Sequence, residues 1–338
     1  WPPHRVPQLE VLPGELAAGE WIEPAAALAR WQTAEVIAAP PILHLLTVLA
    51  EDGPQAGLPR LRDPAEADLG PYRRIEFRPG VILVPVATAT LPPATHTNCY
   101  LLGGEAAVLV DPGSTLPTEQ ERLLAALAAA RDRLGRRVQA IWLTHHHPDH
   151  VGGAEAARQA LGVPLLAHPA TAERLAPLGL RVDDTLAHEQ RLRLGDMPVR
   201  VLHTPGHARG HLCFLDERHG SLLCGDMVSA LSTIVIDPPE GHMGDYLRSL
   251  ESLIQSGAQT LFPSHGPVLA DAATTLRRYV EHRRWREGRI LEAWRSGLRE
   301  PAELLPQVYE EVPRLVWPLA ERQLVAHLEH LREQGEIR

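Results

Sequence analysis

The fold of this chain is decided by the stretch Ile141-Trp142-Leu143-Thr144-His145-His146-His147-Pro148-Asp149-His150. An apolar, strand-like segment runs directly into five side chains that can bind a metal ion. In an extended segment, residues i and i+2 point to the same side, so His145 and His147 can bind one ion together while His146 faces elsewhere. The proline then forces a turn, after which the aspartate and the last histidine can reach a second ion.

Three later segments have the same design, a short apolar strand that ends in a possible ligand. These segments are Val201-Leu202-His203-Thr204-Pro205-Gly206-His207, Leu222-Leu223-Cys224-Gly225-Asp226 and Leu261-Phe262-Pro263-Ser264-His265. Each is weak evidence alone, because a loop histidine or aspartate is usually an ordinary polar residue. Together with the first stretch they predict seven ligands at strand ends, where a rigid sheet can hold them as precisely as a metal site requires.

The composition is typical of a soluble globular protein: of 338 residues, 44% are hydrophobic and 22% are charged, with a net charge of −9. This balance excludes collagen, coiled coil and low-complexity disorder, and it argues against a protein whose whole surface is basic.

Cys99, Cys213 and Cys224 lie in apolar runs and are predicted to be buried, reduced thiols, which favours a location in the cytoplasm. No apolar stretch approaches the roughly 20 residues of a membrane span, so no membrane partner is expected. The oligomeric state stays open.

The hydrophobic pattern divides the chain into three parts, residues 1–74, 75–271 and 272–338. The first part contains two predicted helices and a polar linker over residues 52–71. In the second part, short β-branched runs alternate with alanine-rich helical runs, which predicts a layered α/β fold. The third part is predicted to be helical, with amphipathic segments over residues 303–310 and 319–334.

The ligand order His-x-His-x-Asp-His, followed by His, Asp and His, resembles the metallo-β-lactamase superfamily over roughly residues 75–270. The resemblance implies an αββα sandwich with two metal ions at one edge. Zinc is the expected metal, although manganese or iron could replace it. By the same resemblance, the first ion takes His145, His147 and His207, the second takes Asp149, His150 and His265, and Asp226 bridges both.

Two ions in such a site generate a bridging hydroxide, which is the expected nucleophile of a hydrolase. Asp149 is the predicted catalytic residue, because it can orient the hydroxide as well as bind metal. Asp111 follows a strand and is either an acceptor for a ligand histidine or only a turn residue. Asn98 and His203 occur in the family's motifs and are candidates either for substrate contact or for a structural role.

The tail narrows the resemblance to the β-lactamase-like protein 2 family. Residues 279–287 are similar to its His-Arg-x-x-Arg-Glu stretch, and residues 308–337 resemble its terminal winged-helix-like helices. Asp226 stands where the commonest zinc β-lactamases carry a cysteine, so at most a promiscuous β-lactamase activity is expected. The first 60 residues loosely resemble the tail of a Nudix hydrolase without its catalytic box, and they are predicted to serve packing.

The β-lactamase-like protein 2 family includes an endoribonuclease, so the resemblance favours cleavage of phosphodiesters, above all in single-stranded RNA. Hydrolysis of a lactone, a thioester or another small ester remains open as the alternative. Residues 277–299 hold eight arginines against three glutamates. This segment could contact phosphates, form a solvated helix face with paired charges, or pack Trp285 and Ile290 onto the sandwich.

Overall fold

The computed structural model describes Val11 and residues 18–63, 68–69 and 72–338. Its strands are β1 Asp68–Leu69, β2 Tyr72–Arg73, β3 Ile75–Arg78, β4 Val81–Ala87, β5 His96–Gly103, β6 Ala106–Val110, β7 Arg137–Trp142, β8 Leu165–Ala167, β9 Asp184–Thr185, β10 Arg191–Leu194, β11 Met197–His203, β12 Leu212–Asp216, β13 Ser221–Gly225 and β14 Thr260–Pro263. Its helices are α1 Pro24–Gln32, α2 Pro40–Ala56, α3 Leu58–Arg62, α4 Pro117–Leu134, α5 Pro148–Val151, α6 Ala154–Leu161, α7 Pro169–Leu175, α8 Met243–Gln255, α9 Ala272–Arg295, α10 Pro301–Val308 and α11 Trp317–Glu333. Among the described residues, no helix is both long and apolar enough to cross a membrane.

Two large sheets face each other across a shared apolar core. The seven-stranded sheet has the order β3-β4-β5-β6-β7-β8-β9, and the five-stranded sheet has the order β10-β11-β12-β13-β14. Aromatic side chains from both sheets meet in this core. The rings of Trp142 and Phe214 lie 5.0 Å apart, and those of Tyr100 and Phe262 lie 6.0 Å apart edge to face. Such aromatic pairs stabilise the packing of the two sheets by more than the burial of their apolar area alone.

Each large sheet also buries its outer face, as β6 shows. Val108 and Val110 belong to the core between the sheets, whereas Ala107 and Leu109 belong to a second core that includes the apolar face of α4. α8 and α9 cover the five-stranded sheet in the same way. The predicted αββα sandwich is therefore confirmed. Its central strands are nearly continuous apolar runs because both of their faces are buried.

The C-terminal helices have a core of their own, in which α10 and α11 pack against the second half of α9. Ile290, Leu304 and Leu324 are fully buried there. The first half of α9 belongs to the core of the sandwich through Leu276. Ile290 therefore packs within the C-terminal domain rather than onto the sandwich, and Trp285 is 47% exposed. One long helix spans both cores and connects the two domains.

The two central arginines of α9 point inward, so the interpretation of this stretch as a solvated helix face is wrong for these two side chains. Arg283 and Arg286 are only 3% and 4% exposed. Arg283 donates hydrogen bonds to the carbonyl oxygen of Ile234 and to the side chain of Gln323. Arg286 donates to the carbonyl oxygen of Val308. Their charges are used to connect α9 to its neighbours, so they are not free to bind phosphates.

The stretch predicted to be a polar linker is helical over most of residues 52–62. α2 is kinked at Gly53, whose φ is 74°, and α3 follows directly. Proline is compatible with the first turn of a helix, because its missing N–H would lack a partner there anyway, so the prolines of this stretch mark helix starts rather than a linker. Trp31 of α1 attaches this segment to the sandwich by donating to the carbonyl oxygen of Phe77 at 3.0 Å. Residues 1–10 and 12–17 of the Nudix-like segment lie outside the described residues.

The buried carboxylate of Glu76 generates a prediction about stability. Glu76 is 2% exposed and accepts hydrogen bonds from Gly80 N, Arg136 and the Nε of Arg74. Burial alone would raise the pKa of Glu76, but the charges of Arg136 and Arg74 hold it below its ordinary value. Glu76→Gln should therefore lower the free energy of unfolding at neutral pH by about 3 kcal/mol, because it breaks a buried ion pair.

The stabilisation that Glu76 provides should depend on pH in a definite direction. A carboxyl group with a lowered folded-state pKa stabilises the protein above its ordinary pKa of about 4.3, and this stabilisation is lost as the pH falls through the folded-state value. Urea unfolding should therefore show a gap between wild type and Glu76→Gln that narrows in acid. Asp132→Asn, which removes an exposed pair with Arg131, is the matched control and should behave as wild type. An equal gap at acid and neutral pH would contradict the assignment.

Candidate metal centre

The candidate ligands stand at one edge of the sandwich, where several strands end. β11 and β13 both pair antiparallel with β12, and β14 is parallel to β13, so the carboxyl ends of β11, β13 and β14 meet at the same edge. His207, Asp226 and His265 follow these three strands. The seven-stranded sheet supplies the other four ligands from the loop after β7 and from the first turn of α5, namely His145, His147, Asp149 and His150.

Three imidazole nitrogens converge in the first group of ligands. His147 Nδ1 lies 2.9 Å from His145 Nε2 and 2.9 Å from His207 Nε2. All three rings offer an atom within 4.8 Å of the other two. A proton can be shared by only two such nitrogens, whereas one metal ion can accept the lone pairs of all three.

Asp226 lies between this group and a second one. Its Oδ2 is 3.5 Å from His207 Nε2, whereas its Oδ1 is 3.5 Å from both His150 Nε2 and His265 Nε2. Asp149 completes the second group, with its Oδ2 3.4 Å from His265 Nε2. The two oxygens of Asp226 thus face different groups of ligands, which is the arrangement expected of a carboxylate between two ions.

Hydrogen bonds on the far side of the rings fix which nitrogen faces the centre. Nδ1 of His207 donates to the carbonyl oxygen of Val235 at 2.8 Å, and Nδ1 of His265 donates to that of His96 at 3.0 Å. With the proton on Nδ1, each ring presents the lone pair of Nε2 to the centre. Metal-binding histidines are oriented in this way by their outer partners.

The charges at the centre favour a bound cation. His150 Nε2 and Asp226 Oδ1 are buried and have no hydrogen-bond partner among the described residues. Burial alone would lower the pKa of His150, but the carboxylates of Asp226 and Asp149 raise it well above its ordinary value. Burial and the nearby His207 lower the pKa of His147 to about 3, so this ring is neutral. Neutral imidazoles beside buried carboxylates fit divalent ions well.

Asp111 orients His150 from the end of β6. Its Oδ2 accepts hydrogen bonds from His150 Nδ1 at 2.9 Å and from the Thr144 hydroxyl at 2.6 Å, and its Oδ1 accepts from Thr144 N at 2.8 Å. The φ of Asp111 is 50°, a conformation that aspartate tolerates better than most residues. Asp111 thus lies in a turn and also accepts a hydrogen bond from a candidate ligand.

Sequence reasoning missed His211, which holds the backbone of Asp226 in place. The ring is fully buried, and its Nε2 accepts a hydrogen bond from Asp226 N at 3.1 Å. Its Nδ1 donates to the Thr204 hydroxyl at 2.8 Å. Burial lowers the pKa of His211 well below its ordinary value, which keeps the ring in the neutral form that this pair of bonds requires. The available signal was a second histidine only four residues after His207.

A cleft of about 630 Å³ opens beside the centre, a size typical of small-molecule sites. Five of the seven candidate ligands line it, namely His147, Asp149, His207, Asp226 and His265. The rest of its lining comes from residues 89–94 of the β4–β5 loop, from the segment between residues 229 and 240, and from the C-terminal helices. The C-terminal domain therefore forms part of the wall of the candidate site.

Asn98 and His203 are absent from the lining of the cleft among the described residues. Asn98 donates to two backbone carbonyls, at 2.9 Å each, in the loop that carries His265. His203 donates from Nε2 to the carbonyl oxygen of Arg209 at 2.8 Å. Both side chains make the contacts of structural residues. His146 belongs to none of the three ligand groups found in the described part of the chain, as its alternation predicts.

The first prediction for this centre concerns its metal content. His147→Ala should lose bound metal and activity together, because His147 Nδ1 is the atom nearest to both other nitrogens of its group. Elemental analysis of the purified protein should find up to two ions per chain in the wild type and clearly fewer in the variant. His146→Ala is the matched control and should keep its metal. Full metal content in His147→Ala would refute the ligand assignment.

The second prediction concerns Asp111. Asp111→Asn keeps the shape of the side chain but removes the charge that faces His150 Nδ1. Loss of such an outer partner typically weakens metal binding about 10- to 100-fold, and we expect a change of this size in competition with a chelator. Asp132→Asn, an exposed change of the same kind, should bind metal as tightly as the wild type. If Asp111→Asn binds metal as tightly as the wild type, Asp111 serves only as a turn residue.

Comparison with known proteins agrees with this geometry. The Metallo-beta-lactamase superfamily matches residues 92–265, just over half of the chain, and the Beta-lactamase associated winged helix domain matches residues 301–338. The Beta-lactamase-like protein 2 homolog of Drosophila melanogaster is 29% identical over 257 residues, which cover 72% of this chain and 84% of that protein. The Atrochrysone carboxyl ACP thioesterase of Aspergillus chevalieri is 29% identical over 231 residues, which cover 64% and 69%.

Solved structures show the same architecture. A metallo-beta-lactamase family protein from Thermus thermophilus is 28% identical and superposes with a TM-score of 0.61 over 77% of this chain and 95% of its own. A Beta-lactamase domain protein from Burkholderia ambifaria, 22% identical, shares the fold with a TM-score of 0.65 over 78% and 88%. Because the matched region carries all seven candidate ligands, the protein belongs to the metallo-beta-lactamase superfamily of hydrolases and has the winged helix domain associated with it.

Proposed function

We propose that the protein hydrolyses a thioester or a related carboxyl ester with the help of two zinc ions. Members of this superfamily typically bind divalent metals. A set of five imidazoles and two carboxylates suits zinc, which prefers nitrogen ligands more than magnesium or calcium does. The substrate class rests on the charges and the surfaces of the cleft.

The observation that carries the proposal is that the three described arginines of the cleft all bond to other groups of the protein. Arg283 and Arg286 line the cleft but are buried, and Arg286 pairs with Glu311. Arg322 pairs with Asp237 at 2.7 Å. A nucleic-acid backbone is bound by several free lysines or arginines, each of which neutralises a phosphate. A neutral or weakly charged ester does not need such a row of free cations.

The relatives support the same substrate class. The Aspergillus chevalieri relative is named an Atrochrysone carboxyl ACP thioesterase. It matches this chain over 231 residues, which cover more than two thirds of that protein. We therefore place a thioester first and an oxygen ester second.

The residues of the chain have distinct roles in this reaction. Two bound ions would activate water and polarise the carbonyl group of the substrate. His147, His207 and His265 would hold the ions beside the cleft that they line. Asp149, whose side chain is 15% exposed, can also accept a hydrogen bond from the attacking water and orient it. Water adds to the carbonyl carbon, the bond to sulfur or oxygen breaks, and a proton from the water ends on the leaving thiol or alcohol.

A phosphodiester, including single-stranded RNA, is the second candidate. Arg322 favours it, because this side chain lines the cleft and is 59% exposed despite its pair with Asp237. Two-metal sites also support displacement at phosphorus. A single exposed arginine nevertheless provides little of the electrostatic affinity that a nucleic-acid strand requires.

A substrate panel tests the proposal. The zinc-loaded protein is assayed with an acyl thioester, an aryl ester, a lactone, a bis-aryl phosphate and single-stranded RNA. We expect the thioester or the ester to give the highest kcat/KM and RNA to be cut slowly or not at all, because the described arginines of the cleft are buried or paired. His147→Ala, assayed in parallel, should abolish each activity that belongs to this centre.

The opposite outcome has its own signature. If RNA is the preferred substrate, its cleavage should weaken steeply with salt, and Arg322→Ala should lower both the rate and the slope. Arg322→Ala should leave hydrolysis of a bis-aryl phosphate less affected, because that small ester has no extended backbone. Rapid, salt-sensitive RNA cleavage combined with no thioester or ester hydrolysis would overturn the proposal.

A further inference from the structure

Two separate segments of the chain give the cleft an apolar lining. The β4–β5 loop contributes Leu91, Pro92 and Pro93, and the C-terminal domain contributes Val312 and Val316, with Leu319 and Ala320 beside them. The two segments are far apart in the sequence and lie in different domains. They nevertheless line the same cleft as the candidate ligands. We call them the loop wall and the C-terminal wall.

Both walls expose apolar surface to solvent. Leu91 is 52% exposed and Val316 is 39% exposed, whereas Leu319 is half-buried. Burying such side chains would be favourable, roughly in proportion to the apolar area removed from water. Apolar side chains that converge on a concave site with a few polar groups are typical of ligand-binding pockets.

The C-terminal wall is held in position by the buried arginines of α9. Arg286 donates to the carbonyl oxygen of Val308, just before the wall begins, and its guanidinium lies 4.0 Å from the ring of Tyr309. Arg283 and Gln323 both donate to the carbonyl oxygen of Ile234, across the boundary between the domains. These bonds fix the wall against the sandwich and keep the guanidinium charges out of the apolar surface.

We infer that the loop wall and the C-terminal wall bind the acyl chain of the substrate, so that the protein prefers long apolar acyl groups to acetyl. This inference rests on the proposed ester or thioester hydrolysis and assigns its specificity to Leu91 and Val316. Each methylene group moved from water to such a surface is worth about fourfold in binding. Affinity should therefore rise steadily with chain length until the cleft is filled.

The experiment has two independent readouts. The first is kcat/KM for a series of thioesters of one thiol, from acetyl through butanoyl and hexanoyl to octanoyl. The second is the affinity of the corresponding free carboxylates, measured by calorimetry on the zinc-loaded protein, which requires no turnover. Leu91→Ser and Val316→Ser test the two walls. Leu178→Ser is the matched control, because Leu178 is 73% exposed and is not among the residues that line the cleft.

We expect both readouts to rise with chain length in the wild type and in Leu178→Ser. In Leu91→Ser and Val316→Ser, the preference for octanoyl over acetyl should fall several-fold. The inference is overturned if carboxylate affinity does not depend on chain length, or if neither wall variant changes that dependence. Carboxylates that bind with the expected dependence while no thioester or ester is hydrolysed would support the apolar walls and refute the proposed reaction.

Discussion

Asp226 presents its two carboxylate oxygens to different histidines, Oδ1 to His150 and His265 and Oδ2 to His207. A buried carboxylate is costly unless its charge is compensated, and Oδ1 has no hydrogen-bond partner in the described part of the chain. The charge has to be compensated by a cation and by the imidazole rings of these three histidines, which belong to three other segments of the chain. His211 adds the last constraint, because it fixes the backbone of Asp226 from behind. The edge of the sandwich is organised around this charge.

The candidate ligands can lie this close together only because the backbone segments that carry them also make close contacts. Gly206, directly before His207, has a φ of 136°, and a Cβ there would lie 2.3 Å from Cα of Tyr246. A Cβ at Gly113 would lie 1.7 Å from the carbonyl oxygen of Asp149. Only glycine allows the turn after β11 and the loop after β6 to approach α8 and α5 so closely. The precision of the centre thus depends on backbone packing as well as on its ligands.

The C-terminal domain lines the cleft beside the centre, and we propose that it thereby influences the choice of substrate. α9 belongs to the core of the sandwich at one end and to the C-terminal core at the other. The arginines between these ends bond to carbonyl groups of both domains instead of facing solvent. The same bonds remove free positive charge from the cleft and place an apolar wall beside the ligands. This character of the cleft is the basis of our proposal that the substrate presents an acyl group rather than a nucleic-acid strand.

The strands that end in candidate ligands, the buried thiols of Cys99, Cys213 and Cys224 and the set of candidate ligands could be predicted from the sequence. Each depends on consecutive residues, through the alternation of apolar side chains or through ligand types at the end of a strand. The direction of Arg283 and the support that His211 gives to the centre could not be predicted. Helical periodicity shows that a helix has two faces, but it does not show which other element will cover them. Those partners lie about 40 residues away for Arg283 and 15 for His211, and only the packing of the two domains and the sheet edge brings them together.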